Sequence, residues 1–193
     1  MLNLFKAKVG LNENVEYQLK DSEGNVKQLF QPNKLYSAMM KAGLLSPSLT
    51  SPLLGHFSNS MVISNLITTL GVSGIAARIN GSGSPAAYTY IALGTGTDAA
   101  ADADTELGDE ITTSGGARAA ASVSLVTTDT AGDTAQLQNT FNFTTGGTFA
   151  ITESGVLNAA SDGTLLARQV FSAINVASGD SLQVTWKFDV DTA

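Results

Sequence analysis

The most constraining feature of this sequence is a strict alternation of apolar and polar residues near its carboxyl end. The apolar set is Leu182, Val184, Trp186, Phe188 and Val190, and the polar set is Gln183, Thr185, Lys187 and Asp189. A period of two residues places every second side chain on one face of a β-strand. The pattern therefore predicts an antiparallel strand buried on one face, with Trp186 at the centre of that face.

Shorter runs of the same kind precede this strand. They predict strands at residues 88–93, 121–125, 137–143, 149–157 and 165–171. Turn-forming residues separate several of them, as at 129–133 and 161–163. Short strands joined by turns, without intervening helices, are typical of β-sandwiches and jelly rolls. We therefore predict a mainly β fold, with an antiparallel β-sandwich or jelly-roll-like domain over residues 85–193.

The sequence before the β domain predicts a small α+β segment. Residues 15–30 favour a β-hairpin, because a polar cluster ending in Gly-Asn lies between two apolar runs. Asn33 is placed to cap a short helix over residues 34–42, which Gly43 would end. The apolar face of this helix is expected to comprise Leu35, Tyr36 and Met39.

A connection follows this helix. Residues 44–60 contain two prolines and several serines, which favour irregular structure. Residues 61–79 place apolar side chains at helical spacing, which predicts one helix weakened by Gly71 and Gly74. We predict three parts, namely a hairpin-helix attachment segment over residues 1–60, a helical connection over 61–84 and the β-sandwich over 85–193.

Composition limits the class of protein. The 193 residues are 43% hydrophobic and 14% charged, which is typical of a folded chain that can bury a substantial core. The absence of cysteine excludes disulfides and zinc-thiolate sites. We expect no signal peptide and no membrane segment, because no stretch reaches the ~18 apolar residues that a bilayer span requires.

Charge is distributed unevenly along the chain. Residues 1–80 contain seven Lys and Arg residues and four Asp and Glu residues. Residues 81–193 contain three Lys and Arg residues and thirteen Asp and Glu residues. Nucleic-acid binding requires clustered cations, so the acidic second part argues against a nucleic-acid partner.

Four features could indicate a chemical site. His56 is the sole histidine and lacks a serine-nucleophile motif nearby, so we interpret it as a loop residue. The segment containing Asp98, Asp102, Asp104, Glu106, Asp109 and Glu110 begins like a calcium loop. It has Leu107 where the loop glycine is required and Thr113 at the twelfth position, which favours a solvated acidic loop.

The other two features lie on predicted strands. Gly94 and Gly96 follow a strand but lack the third glycine and the helix of a phosphate cradle, so we expect a turn. Glu153 is the only acid in an apolar strand, and we expect it to satisfy buried backbone or to pair with Arg118 or Arg168. We therefore predict no catalytic, cofactor-binding or metal-binding residue, and a protein that is not an enzyme.

Several short segments, taken in order, resemble accessory virion proteins of tailed bacteriophages. These segments are 90–97 (YIALGTGT), 105–110 (TELGDE) with Arg118, 151–157 (ITESGVL), 163–168 (GTLLAR) with Phe171, 179–182 (GDSL) and 184–186 (VTW). The group includes proteins that decorate or cement capsids and related tail-associated proteins. The first 60 residues lie outside the resemblance.

The resemblance implies a β-sandwich on a virion surface, often as a trimer. We therefore expect a structural protein that binds the major capsid protein or other virion subunits, and that decorates and stabilises the head. Assembly into a homo-oligomer is compatible with the neutral strand at 119–126, which has few charges to protect a sheet edge.

Two other functions stay open at this stage. A tail, collar or fibre-base protein would have the same composition, and so would a host-adhesion protein. An adhesin would present exposed aromatic side chains, for which Tyr88 and Tyr90 are the candidates. A polysaccharide hydrolase would require a pair of carboxylates, which the sequence does not reveal.

Overall fold

The computed structural model describes residues 9–47, 49–83, 86–144 and 149–192. In chain order, its elements are β1 (Val9–Lys20), β2 (Val26–Lys27), β3 (Leu29–Pro32), α1 (Lys34–Lys41), β4 (Gly55–Ser58), β5 (Met61–Ser64), β6 (Leu66–Ile67), α2 (Thr69–Asn80), β7 (Tyr90–Gly94), β8 (Ala119–Ala120), β9 (Ser122–Val126), β10 (Thr134–Asn142), β11 (Phe149–Leu157), β12 (Leu165–Val176) and β13 (Ser181–Thr192). The predicted mainly β, antiparallel fold is confirmed. The strand order does not establish jelly-roll connectivity.

The first sheet contains six strands. Its order is β2-β1-β13-β10-β9, and β5 pairs with β1 on the same side as β2. β1 and β13 pair along their whole length, from Val9 opposite Thr192 to Lys20 opposite Ser181. The first described strand and the last are therefore neighbours at the centre of one sheet.

The second sheet contains five strands in the order β6-β12-β11-β7-β8. β8 pairs with β7 in this sheet, whereas β9 pairs with β10 in the first sheet. Only Ala121 separates β8 from β9, so the chain passes from one sheet to the other at this residue.

Side chains from both sheets form one hydrophobic core. Across the interface, the hydroxyls of Tyr17 and Ser154 are hydrogen-bonded at 2.6 Å, and the rings of Tyr17 and Phe171 lie 4.3 Å apart. Trp186 is fully buried in this core, as its central position in the alternating strand predicts. The two sheets thus pack face to face as a sandwich.

The structure corrects the predicted membership of this sandwich. Residues 85–193 were expected to form it alone, but β1 and β5 supply core residues such as Val15, Tyr17 and Met61. The predicted boundary near residue 60 therefore does not separate two hydrophobic cores. Residues 1–8 of the predicted attachment segment, and Ser84 and Pro85 at the predicted domain boundary, lie outside the described residues.

The predicted hairpin and first helix are present. β1 and β2 form the hairpin, and Asn33 caps α1 by accepting a hydrogen bond from the Tyr36 amide at 2.9 Å. The predicted apolar face is partly wrong, because Leu35 is exposed whereas Tyr36 and Met40 are buried. The helix is rotated toward β12, where Val170 packs against Tyr36 and Met40.

The predicted helix over residues 61–79 is wrong in its first half. The helix α2 begins only at Thr69, and β5 and β6 precede it. In β5, Met61 and Ile63 are buried while Val62 is exposed, which is the two-residue period of a strand. Pairing with β1 therefore determines the local structure in spite of the apolar spacing. No helix in the described parts of the chain is long and apolar enough to cross a bilayer.

The alternation in β13 holds in the middle and fails at its end. Leu182, Val184 and Trp186 are buried as predicted, but Val190 is exposed. Asp189, expected on the polar face, is buried and accepts a hydrogen bond from Thr134 at 3.2 Å.

Candidate functional site

Glu153 is a fully buried acid in β11. The next residue, Ser154, contacts Tyr17 in the core, so alternation places Glu153 on the outer face of the second sheet. Residues 95–110, here called the acidic loop, cross this outer face. A small apolar cluster lies beneath the loop and comprises Ala92, Leu107, Leu157 and Leu165.

The Glu153 carboxylate is bound by backbone amides of the acidic loop. Its Oε1 accepts hydrogen bonds from the amides of Gly96, at 3.0 Å, and Asp109, at 2.7 Å. Its Oε2 accepts from the amide of Gly108 at 3.0 Å. Because Gly96 and Asp109 lie near opposite ends of the loop, one side chain holds both ends against β11.

Arg168 in β12 neutralises this carboxylate. Its Nε donates to Oε2 of Glu153 at 2.8 Å, and its Nη1 donates to Oδ2 of Asp104 at 2.8 Å. Its Nη2 donates to the carbonyl of Asp98 at 3.2 Å. Burial alone lowers the pKa of Arg168, but its hydrogen bonds and charge interactions with Asp104 and Glu153 outweigh burial and raise it above its ordinary value.

Two glycines allow the loop to approach Glu153. A Cβ atom on either Gly94 or Gly96 would lie 2.4 Å from Oε1 of Glu153, which is closer than van der Waals contact permits. The Gly-x-Gly pattern after β7 therefore provides room for a carboxylate of the same chain. The sequence predicts only a turn at these glycines, and the structure shows that they also allow the close approach of Glu153.

A second ion pair fastens the end of the acidic loop. Arg118 binds Glu110 through two hydrogen bonds, from Nε at 2.9 Å and from Nη2 at 2.5 Å. Its Nη1 also donates to the carbonyls of Ala159 and Asp162, in the turn between β11 and β12. Of the two partners considered for Glu153, Arg168 is therefore the one it binds, and Arg118 binds elsewhere.

The arrangement around Glu153 is suited to structural support. Each carboxylate oxygen accepts two hydrogen bonds, and the group is removed from solvent. Four donors occupy the lone pairs of the carboxylate, and its negative charge is matched by Arg168. The chemistry that this geometry supports is fixation of the acidic loop on the second sheet.

The candidate metal ligands of the acidic loop do not converge. Asp104 binds Arg168 and accepts a hydrogen bond from the Ala101 amide at 2.9 Å, whereas Asp102 and Glu106 are exposed. Within the described ranges, no group of three or more His, Asp or Glu side chains is placed to hold a metal ion.

The remaining candidates lie apart from this network. His56 is exposed in β4, where it pairs with Gln31 of β3. Tyr88 and Tyr90, the aromatic candidates for an adhesin, are both partly buried. Phe57, beside His56, is 60% exposed. Its ring packs edge-on against Phe30, with the two ring centroids 5.7 Å apart.

Exposed apolar side chains are concentrated in one stretch of the chain. Ten of the thirteen exposed large hydrophobic residues among those described lie between Val26 and Ile79. Residues 24–97, here called the acid-free segment, contain no Asp or Glu, although the whole chain has seventeen. Apolar exposure and the absence of negative charge therefore coincide in one stretch of the chain, and this stretch is our candidate for a binding surface.

The densest part of this surface is residues 29–58, here called the α1 module. Its exposed apolar residues are Leu35, Leu44, Leu49, Leu53 and Phe57. The module is fixed to β12, because Val170 packs against Tyr36 and the Ala173 amide donates to the carbonyl of Pro47 at 3.0 Å. Lys34 and Lys41 lie seven residues apart on α1, so both project from one side of the helix.

Several clefts border α1 in the part of the chain that the structure describes. One of about 190 Å³ lies between Met40, Leu66 and Val170, and one of about 420 Å³ separates Lys34 and Lys41 from Val62. A third, of about 300 Å³, separates residues 43–47 from Asp98, where the acidic loop begins. The acidic loop thus borders the α1 module.

Comparison with known proteins finds no matching protein family, no matching curated protein and no matching solved structure.

The sequence pattern predicts the buried acid Glu153 but not the exposed apolar residues of the α1 module. The structure brings Gly96, Asp109, Glu153 and Arg168 into one hydrogen-bond network, whereas Arg118 binds Glu110 at the end of the same loop. The surface of the α1 module was not predicted residue by residue, because exposure depends on tertiary packing. The available signal was the long interval without an acid between Glu23 and Asp98.

Proposed function

We propose that this protein is a non-enzymatic structural subunit of a bacteriophage virion, which binds neighbouring capsid subunits and thereby decorates and stabilises the head. The observation that carries the proposal is the α1 module, which exposes five large apolar side chains without a single acid. The resemblance to phage accessory proteins supplies the virion context.

The α1 module has the features of a docking surface. Leu53 is 86% exposed and Leu35 is 63% exposed, so a partner could remove both side chains from water. Lys34 and Lys41 add positive charge to the same module. An acidic, partly apolar surface on a capsid subunit is the partner that this chemistry fits.

The rest of the molecule is a folded scaffold that supports the α1 module. The sandwich has a continuous core, and the Glu153–Arg168 pair holds the acidic loop in place. The strong negative charge of residues 98–193 would disfavour docking of that part on an acidic partner. The sandwich would therefore point away from the particle, with the acidic loop at the border of the docking surface.

The test is binding of purified protein to undecorated heads, measured by co-sedimentation. The variant Leu35→Asp/Leu53→Asp places two negative charges on the module at exposed positions, and Asp is well tolerated in the first turn of α1. We expect binding to weaken by roughly tenfold or more, with the melting temperature unchanged.

The matched control is Thr140→Asp, which adds negative charge at an exposed position of β10. It should bind as the wild type does. Wild-type affinity of the Leu35→Asp/Leu53→Asp variant would contradict docking through the α1 module. Binding of the wild type to purified tails, and not to heads, would contradict the head assignment.

A further inference from the structure

β9 forms an open edge of the six-stranded sheet. It pairs with β10 on one side, and no strand pairs with its other side among the described residues. The opposite edge of this sheet is treated differently. There Gln31 covers β5, since its side chain accepts from the Val62 amide at 2.7 Å and donates to the Val62 carbonyl at 2.9 Å.

Among the described residues, two of the three exposed large apolar residues outside the acid-free segment lie on β9, and the third is Val190 on β13. Val123 is 58% exposed and Leu125 is 73% exposed. Val123 lies opposite Leu137, which lies opposite Trp186, so both exposed residues are on the face of the sheet that forms the core. The core face therefore continues past the area that the second sheet covers.

β9 also lies in an uncharged stretch. Residues 119–128 contain no charged side chain, whereas the whole protein has a net charge of −7. Two copies of an acidic protein repel each other, so a contact between copies is favoured where both surfaces are neutral. Edge strands of monomeric proteins usually carry a charge, a proline or a bulge that prevents such pairing, and β9 has no charge and no proline.

We infer that β9 pairs antiparallel with β9 of a second copy of this chain, about a two-fold axis at Ser124. In this register, Val123 of each copy lies opposite Leu125 of the other, and the exposed apolar side chains cover one another. The contact joins two six-stranded sheets edge to edge. It does not depend on the proposed function, and its two-fold symmetry differs from the trimer that the resemblance implies.

The first measurement is the mass of the protein in solution by light scattering or sedimentation at micromolar concentration. The wild type should have twice the 19.9 kDa mass of one chain. The variant Val123→Lys/Leu125→Lys should have the mass of one chain. It places two lysines in each copy of β9, and the four positive charges of a dimer would repel one another across the paired strands. Leu53→Lys makes the same kind of change at an exposed leucine outside β9 and should leave the mass doubled.

A charge-swapped pair of variants tests the contact without depending on one substitution. Val123→Glu/Leu125→Glu should also have the mass of one chain. Mixing it with the lysine variant should restore the doubled mass, because each lysine then lies opposite a glutamate of the other copy. A wild type of single-chain mass would overturn the inference. So would a larger mass that the lysine variant retains, or a mixture that stays monomeric.

Discussion

The guanidinium of Arg168 and the carboxylate of Glu153 are buried together, with Nε and Oε2 2.8 Å apart. They come from adjacent strands, β12 and β11, and neither is part of the core between the two sheets. Their function is to hold the acidic loop, whose amides complete the hydrogen bonding of the carboxylate. A buried ion pair with every oxygen satisfied determines the position of a loop more than it increases total stability.

Arg168→Met should destabilise the protein strongly. The substitution leaves Glu153 and Asp104 without their counterion, and breaking a buried pair on one side typically costs about 3–5 kcal/mol. Urea denaturation measures the free energy of unfolding. Lys187→Met, which removes a partly exposed cation from β13, is the control and should cost less than about 1 kcal/mol. Equal costs for the two variants would contradict the structural importance assigned to the pair.

Asp133 should contribute to stability in a pH-dependent manner. Hydrogen bonds from the amides of Thr128 and Thr130 are the main cause, and with those from Asp129 and Thr134 they hold the pKa of Asp133 well below its ordinary value of 3.8. A carboxylate whose pKa is lowered on folding stabilises the protein above its unfolded-state pKa, and this contribution is lost as the pH falls toward the folded-state pKa.

Asp133→Asn should therefore destabilise the protein at neutral pH, and the difference from the wild type should shrink as the pH is lowered below about 4. Urea denaturation of both proteins at a series of pH values measures this difference. A difference that is constant over the whole range would show that the hairpin between β9 and β10 does not depend on an ionised Asp133.

Trp186→Ala should cost about 3–5 kcal/mol of unfolding free energy, because a fully buried indole is replaced by a cavity. Val190→Ala is the matched control on the same face of the same strand. Val190 is 52% exposed, so its truncation should cost less than about 1 kcal/mol. An unchanged melting temperature for Trp186→Ala would mean that the two faces of β13 are reversed.

Sequence patterns predicted the carboxyl-terminal strands well because those strands carry their own signal. β13 alternates strictly, and β11 has the predicted bounds. The alternation fails to predict burial at two positions of β13, where tertiary contacts determine it. Val190 is exposed near the end of β13, and Asp189 is buried beside Thr134.

The amino-terminal half was harder to predict because its structure depends on distant residues. β1 pairs with β13 across more than 160 positions of sequence, and β5 is a strand because β1 lies beside it. No local pattern encodes such pairings. For the site, one buried acid in an apolar strand was enough to predict a satisfied carboxylate, but only the fold could distinguish Arg168 from Arg118.

The place of β1 in the sheet changes what a truncation should do. Deleting residues 1–60 removes the partner of β13 along its whole length, and with it the core residues Val15 and Tyr17. We therefore expect the truncated chain not to fold, which circular dichroism and its melting profile would reveal. Cooperative unfolding of residues 61–193 alone would contradict this and would support the separate domain that the sequence first indicated.

Zero-length carbodiimide crosslinking of intact virions, followed by mass spectrometry, tests the central claim most directly. This reagent joins a lysine to a carboxylate in direct contact, so it reports the charge pairing that docking of the α1 module requires. We predict crosslinks from Lys34 and Lys41, which are exposed on α1, to Asp or Glu of a neighbouring virion protein, and none from Lys187 on β13. Particles that carry the protein but yield crosslinks to neighbours only from Lys187 would contradict the account.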